Sequence, residues 1–203
     1  MPRIQSLALA SLLAAGSLLT AGCSNAPTAA PAHDHGTASA DEAHAGMGGM
    51  MSHGKMAFAT FTPTQGNTVR GLVMFHDMGD HLMAHVQLTG LAPNSEHGFH
   101  LHDKGDCASA DGTSAGGHFN PTGQPHGPQD AAHHAGDLPS LKADANGVVD
   151  QKLMLSGPTL ADGPSSIVGR SVIVHANADD YTTQPTGNSG PRIACGVIAA
   201  HGH

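Results

Sequence analysis

From Met56 onward the apolar positions fall in short runs separated by turn residues. Ala57–Thr62, Val69–Phe75, Leu82–Leu88, Phe99–His102, Val148–Leu155, Ser171–His175 and Ile193–Ala199 are each four to eight residues long. Asn67, Gly79-Asp80, Pro93-Asn94 and Asn146-Gly147 punctuate them. None of these runs extends into a helical period, so they predict β-strands. Asn146-Gly147 between two such runs predicts a hairpin turn, because both residues tolerate positive φ. Short strands at this spacing predict an all-β domain, an antiparallel sandwich or barrel. Residues 103–141 are too long for an ordinary connection, and loops of that length in a compact domain are usually functional.

Upstream of Met56 the pattern changes. Arg3 followed by the apolar stretch Ile4–Leu19 predicts an export signal over residues 1–22. Leu19-Thr20-Ala21-Gly22-Cys23 is similar to a bacterial lipobox, with Thr20 where leucine is usual. Cys23 is therefore a candidate for lipidation and membrane anchoring, and the expected location is the periplasm or cell envelope. The apolar run is shorter than the ~20 residues a membrane-spanning helix needs. Residues 23–55 are rich in Ala, Gly, Pro and Thr and lack an apolar period, which predicts a disordered tether. This tether carries His33, His35, His44, Met47, Met50, Met51 and His53. Imidazole and thioether together suit copper, so these residues are a candidate copper-capturing tail.

Composition narrows the picture. The chain has 203 residues, with 27 Gly, no Trp and one Tyr, which favours strands and loops over helix bundles. The net charge of −8 argues against nucleic acid and anionic membrane surfaces as partners. With Cys23 removed or lipidated, Cys107 and Cys195 remain, and an exported protein most simply pairs them. Such a bridge closes a loop of almost ninety residues, worth roughly 4–5 kcal/mol in the chain-entropy model.

The candidate chemistry lies in the histidines. His-x-His at His100 and His102 puts two imidazoles on one face of a strand. His118, His126, His134 and Asp137 follow in the Gly/Pro-rich loop, and His175 ends a later strand. Six imidazoles and one carboxylate are about enough for two metal ions sharing a ligand. Imidazole suits copper and zinc, and one carboxylate among imidazoles favours zinc.

Four motifs in order carry a resemblance. Gly98-Phe99-His100-Leu101-His102, Gly116-Gly117-His118-Phe119-Asn120-Pro121, His134-Ala135-Gly136-Asp137-Leu138 and Gly190-Pro191-Arg192-Ile193-Ala194-Cys195-Gly196-Val197 resemble copper/zinc superoxide dismutase of the bacterial type. The likeness runs from about Met56 to the C-terminus. It implies a Greek-key antiparallel barrel or flattened sandwich with long metal-binding loops, over residues 56–203. It implies copper on His100, His102, His118 and His175, and zinc on His118, His126, His134 and Asp137, with His118 bridging. It implies dismutation of superoxide to oxygen and hydrogen peroxide by a copper redox cycle. Asp179 would accept protons from His100 and His126 and so fix both rings. Arg192 would guide the anionic substrate.

Other expectations go with these. Tyr181–Gly190 is short and uncharged, where animal relatives carry a longer charged loop, so Lys104 becomes a candidate for steering. His134 is preferred to His133 as a ligand. His76, His81, His85 and His97 are expected to be exposed strand or loop residues. His201 and His203 form at most a weak terminal metal site. The protein is expected to be a monomer or a homodimer. A copper-binding or copper-delivery protein on the same fold is the alternative, motivated by the His/Met tail.

Overall fold

The structure is a computed structural model and describes residues 54–201. The signal segment, Cys23, the tail histidines and methionines up to His53, and His203 lie outside the described residues. Ten strands are present among the described residues: β1 Met56–Pro63, β2 Arg70–Asp77, β3 Leu82–Thr89, β4 Glu96–His97, β5 Phe99–His102, β6 Leu141–Lys142, β7 Val149–Leu155, β8 Ser171–His175, β9 Arg192–Val197 and β10 Ala199–Ala200. One turn of 3₁₀ helix, Thr113–Ala115, interrupts the long loop. No helix among the described residues is long and apolar enough to cross a membrane.

The main sheet is antiparallel and runs β5-β8-β9-β1-β2-β3-β7, with β10 added beside β1. Chain order explains the Greek key. After the meander β1-β2-β3 the chain crosses to the far edge, lays down β5, and returns through the long loop to place β7 beside β3. β4 leads directly into β5, and β6 precedes β7. Their pairing, Glu96↔Lys142 and His97↔Leu141, draws the two edges of the sheet toward each other, so it curls into a half-barrel.

The interior follows from the period of two. On β1 Ala57, Ala59 and Phe61 are buried while Met56, Phe58 and Thr60 face solvent. Val73 and Phe75 on β2, and Leu82, Ala84, Val86 and Leu88 on β3, continue the same core. β5 and β8 are different, because every residue on them is buried. Phe99, Leu101, Val172 and Val174 face the core. The opposite face is covered by the loops, and this is where His100, His102, Ile173 and His175 lie.

The seven sequence-predicted strands match β1, β2, β3, β5, β7, β8 and β9 to within a residue or two. Two expectations need correction. Asn146-Gly147 does form a turn, with Asp144 and Val148 hydrogen-bonded across it, but the strand before it is only Leu141–Lys142. That strand pairs with β4 rather than β7, so the motif is a turn without a hairpin ladder. His97 is not exposed: it is buried on β4, its Nδ1 2.7 Å from His175 O and its Nε2 2.6 Å from Ser95 Oγ. His76, His81 and His85 are half-buried.

Candidate metal centre

β5 is an edge strand, and the long loop occupies its free side. Phe119 N donates to Leu101 O, Leu101 N to Gly136 O and Gly136 N to Phe119 O, each at 2.9 Å. These bonds set the bridges His102↔His118 and His100↔Asp137, which place loop ligands against strand ligands. Gly136 is required for this fit, because a Cβ there would sit 2.4 Å from Leu101 O.

Two clusters of ligand atoms result, each within 4.8 Å: His100, His102, His118 and His175, and His118, His126, His134 and Asp137. His118 belongs to both. In the second cluster three imidazole nitrogens converge on one oxygen. Asp137 Oδ1 is 2.8 Å from His118 Nδ1, 2.9 Å from His126 Nδ1 and 3.0 Å from His134 Nδ1. Asp137 Oδ2 accepts from the backbone N–H of His134 at 2.8 Å and of Gly127 at 3.1 Å. In the first cluster His102 Nε2 and His175 Nε2 are 3.4 Å apart.

The outward nitrogens are fixed by the protein. His102 Nδ1 donates to Gly116 O at 2.9 Å and His175 Nδ1 to Gly190 O at 3.1 Å. Asp179 serves both clusters: Oδ2 is 2.6 Å from His100 Nε2 and Oδ1 is 2.9 Å from His126 Nε2. This leaves His100 Nδ1, His118 Nε2 and His126 Nδ1 buried without a hydrogen-bond partner. Orphaned buried nitrogens call for an explanation, and all three face into the clusters. His118 is distinct among them, because neither of its nitrogens bonds outward. Neutral imidazole and carboxylate in an N₄ set and an N₃O set fit copper and zinc.

Burial and the buried carboxylates shift these groups in opposite directions. Burial lowers the His100 pKa to about 4 against the opposing hydrogen bond to Asp179. Burial likewise lowers His175 to about 3 and holds His102 well below its ordinary value. Burial also acts to lower His126, but the carboxylates of Asp137 and Asp179 outweigh it and raise its pKa to about 9. Burial would raise Asp137 and Asp179. The His118 and His126 rings lying against the first, and donation by His100 and His126 to the second, instead hold both well below the ordinary carboxylate range.

Arg192 reaches the site through an irregularity. His175 pairs with Arg192 and Val174 with Ala194, so Ile193 is an extra residue in β9. The bulge lets Ile193 and Ala194 both join the core and puts Arg192 on the same face as Cys195 and His175. Its NH1 and NH2 donate to Gly112 O and Gly116 O, each at 2.6 Å. Gly116 O therefore holds both Arg192 and His102. Burial lowers the Arg192 pKa, yet guanidinium stays charged. The disulfide Cys107–Cys195, spanning 88 residues, ties the loop carrying Gly112 and Gly116 to β9. Lys104 is exposed and runs alongside Gly116. His133 stays outside the clusters, with Nδ1 2.7 Å from Ala131 O.

The Tyr181–Gly190 segment holds positioning groups that sequence reading missed. Gln184 clamps His126 twice, accepting from its N–H and donating to its C=O, each at 2.8 Å. Tyr181 lies parallel to the His126 ring at 6.4 Å, and its hydroxyl accepts from Ser140 N at 2.8 Å. Gly187 has φ +63, and a Cβ there would fall 1.8 Å from Asp179 Oδ1. No motif signals these contacts, since glutamine, tyrosine and glycine are common in loops.

Comparison with known proteins places this geometry. Residues 69–198 match the copper/zinc superoxide dismutase family (SODC). The Cu-Zn superoxide dismutase of Saccharomyces cerevisiae is 43% identical over 139 residues, 64% of this chain and 89% of that one. The superoxide dismutase-like protein YojM of Bacillus subtilis is 42% identical over 119 residues, 56% of this chain and 61% of its own length. The crystal structure of a SOD-like protein from Bacillus subtilis superposes with a TM-score of 0.63 at 37% identity, covering 68% of this chain and 95% of that one. The chain belongs to the copper/zinc superoxide dismutase family, whose cofactors are copper and zinc.

Proposed function

We propose that the protein dismutes superoxide to oxygen and hydrogen peroxide outside the cytoplasm. His100, His102, His118 and His175 would hold copper, and His118, His126, His134 and Asp137 would hold zinc. The observation that carries this reading is His118, whose Nδ1 lies in one cluster and whose Nε2 is buried without a partner in the other. Copper supplies one-electron exchange when bound, and zinc supplies fixed positive charge without changing oxidation state.

The chain's own residues then have distinct tasks. Asp179 orients His100 and His126 together, so the two clusters share one buried anchor. His118 Nε2 takes up and releases one of the two protons that each turnover consumes, the other coming from solvent, while Nδ1 stays engaged on the Asp137 side. Arg192 is pre-positioned by two carbonyls and offers its positive charge to an anion. Lys104, exposed beside the same loop, adds to the attraction. Both must act against a net charge of −8.

The extracytoplasmic setting is supported by the disulfide, by the apolar segment behind Arg3 and by the lipobox-like sequence at Cys23. In this reading residues 1–22 are removed, Cys23 carries the lipid anchor, and 23–55 tether the domain. The second reading is copper delivery, favoured by the His/Met-rich residues 33–53. His118→Ala tests the first. For the dismutase, turnover falls by orders of magnitude while His100, His102 and His175 still retain copper. Turnover near wild type would exclude His118 as the bridging and proton-transferring group.

A further inference from the structure

The outward face of the sheet carries a row of soft donors that share no residue with the buried clusters. Met56 pairs with His76 across β1 and β2, His76 with Met83 across β2 and β3, and Met83 with Met154 across β3 and β7. Directly opposed residues in an antiparallel ladder share a face. Their neighbours Ala57, Phe75, Ala84 and Leu155 are buried, so this row points to solvent. His201 extends it, because its N–H donates to Met56 O at 2.9 Å, one step on from the Ala57↔Ala200 pair.

His76 sits at the centre of the row with a thioether on each side. Met74, two residues earlier, presents a third on the same face. Opposed Cα atoms lie about 4.5–5.5 Å apart, and methionine has three rotatable side-chain bonds, so both sulfurs can reach over the ring. Carboxylates engage the nearby histidines: Asp80 lies 2.5 Å from His81 and Asp150 lies 2.7 Å from His85. His76 has no such carboxylate partner among the described residues. Its direct cross-strand neighbours are the two thioethers of Met56 and Met83.

We infer that Met56, His76 and Met83 form an exterior binding site for Cu(I), sharing no residue with the buried clusters. Thioether and imidazole together select a soft monovalent ion, and the absence of a carboxylate from the trio disfavours hard cations. Metal capture needs the sulfurs flanking the nitrogen, and the register supplies one on each side of His76. Met47, Met50, Met51 and His53 precede β1 in sequence, so the same donor types lead into Met56.

The test compares the full chain, with its buried centre loaded with copper and zinc, against Met56→Leu/His76→Gln/Met83→Leu. These replacements conserve volume on a solvent-facing surface. Cu(I) is titrated against a chromophoric Cu(I) chelator, and X-ray absorption identifies its donors. The wild type should bind one more Cu(I) than the variant, with sulfur in its shell. The site should weaken at least tenfold on the single change His76→Gln, which also serves if the triple variant misfolds. Copper and zinc content of the buried centre should be unchanged. Equal Cu(I) stoichiometry and affinity in both proteins would overturn the inference, as would a wild type that takes up no extra Cu(I). The tail is present in both proteins and cancels from the comparison.

Discussion

Asp179→Asn should weaken both metals at once. The carboxylate is fully buried, with His100 Nε2 at 2.6 Å, His126 Nε2 at 2.9 Å and the Tyr181 N–H at 2.7 Å. Asparagine offers one acceptor oxygen and one NH₂ group. If the oxygen faces His100, the NH₂ confronts the N–H of His126, and the reverse orientation confronts His100. One ring must rotate or change tautomer, and its inward nitrogen is then lost to its cluster. Loss of a group that orients a metal-bound histidine costs about 10–100-fold in metal affinity, or roughly 1.4–2.7 kcal/mol. Because Asp179 spans the clusters, copper and zinc affinities should each fall within that range. Gln184→Ala, which removes only the backbone clamp on His126, should weaken zinc more than copper. The assay is competition against chelators selective for each metal, with the other site filled. If Asp179→Asn weakens zinc and leaves copper within threefold of wild type, Asp179 does not orient His100 and the shared-anchor reasoning fails.

Three further outcomes follow from the geometry and a fourth from the sequence of residues 24–53. Gly187→Ala should reproduce the loss of both metals, because its Cβ would displace Asp179 Oδ1, and it should lower the melting temperature measured by calorimetry. Replacing Cys107 and Cys195 by serine should cost roughly 4 kcal/mol in denaturant unfolding, since the bridge closes a long loop; an unchanged midpoint would contradict that. The metal-free protein should lose stability as pH falls from 7 to 5. The folded pKa values of His100 and His175, about 4 and about 3, lie below the ordinary 6.5, so the unfolded chain binds more protons in that window. Each costs on the order of 2 kcal/mol at pH 5, while His126, raised to about 9, loses nothing below pH 6.5. Urea midpoints of the metal-free protein across this range would show the fall, and a flat profile would contradict neutral burial of these rings. Removing residues 24–53 should slow copper loading at limiting copper and leave the rate of the fully loaded enzyme unchanged, as read by metal analysis during reconstitution.

Much of this fold is legible because its long strands obey a period of two. Ala57–Thr62 and Leu82–Leu88 alternate cleanly, and each has one wet face. His100 and His102 share a face with Phe99 and Leu101 opposite, so strand parity alone separates site from core. The ordered motifs were enough to gather the remaining cluster residues. What could not be read has physical reasons. β4 and β6 are two residues each, shorter than any alternation can signal. His97 is buried because β4 pairs with β6 beside β8, a contact over long sequence distance. Strict parity would put Arg192 and Cys195 on opposite faces, and only the bulge at Ile193 brings them to the same one. Gln184 and Tyr181 act through backbone and ring contacts to His126 that carry no sequence signature.

The most direct test is superoxide decay, followed by pulse radiolysis on the protein loaded with one copper and one zinc, over a range of ionic strength. Superoxide dismutase is among the enzymes known to approach the diffusional ceiling of about 10⁸–10⁹ M⁻¹s⁻¹. Catalysis at this centre predicts a rate near that ceiling, falling as salt rises, and a weaker salt dependence when Arg192 is replaced by alanine. A fully loaded protein that turns over slowly would contradict catalysis at this centre and leave the two clusters as a metal store.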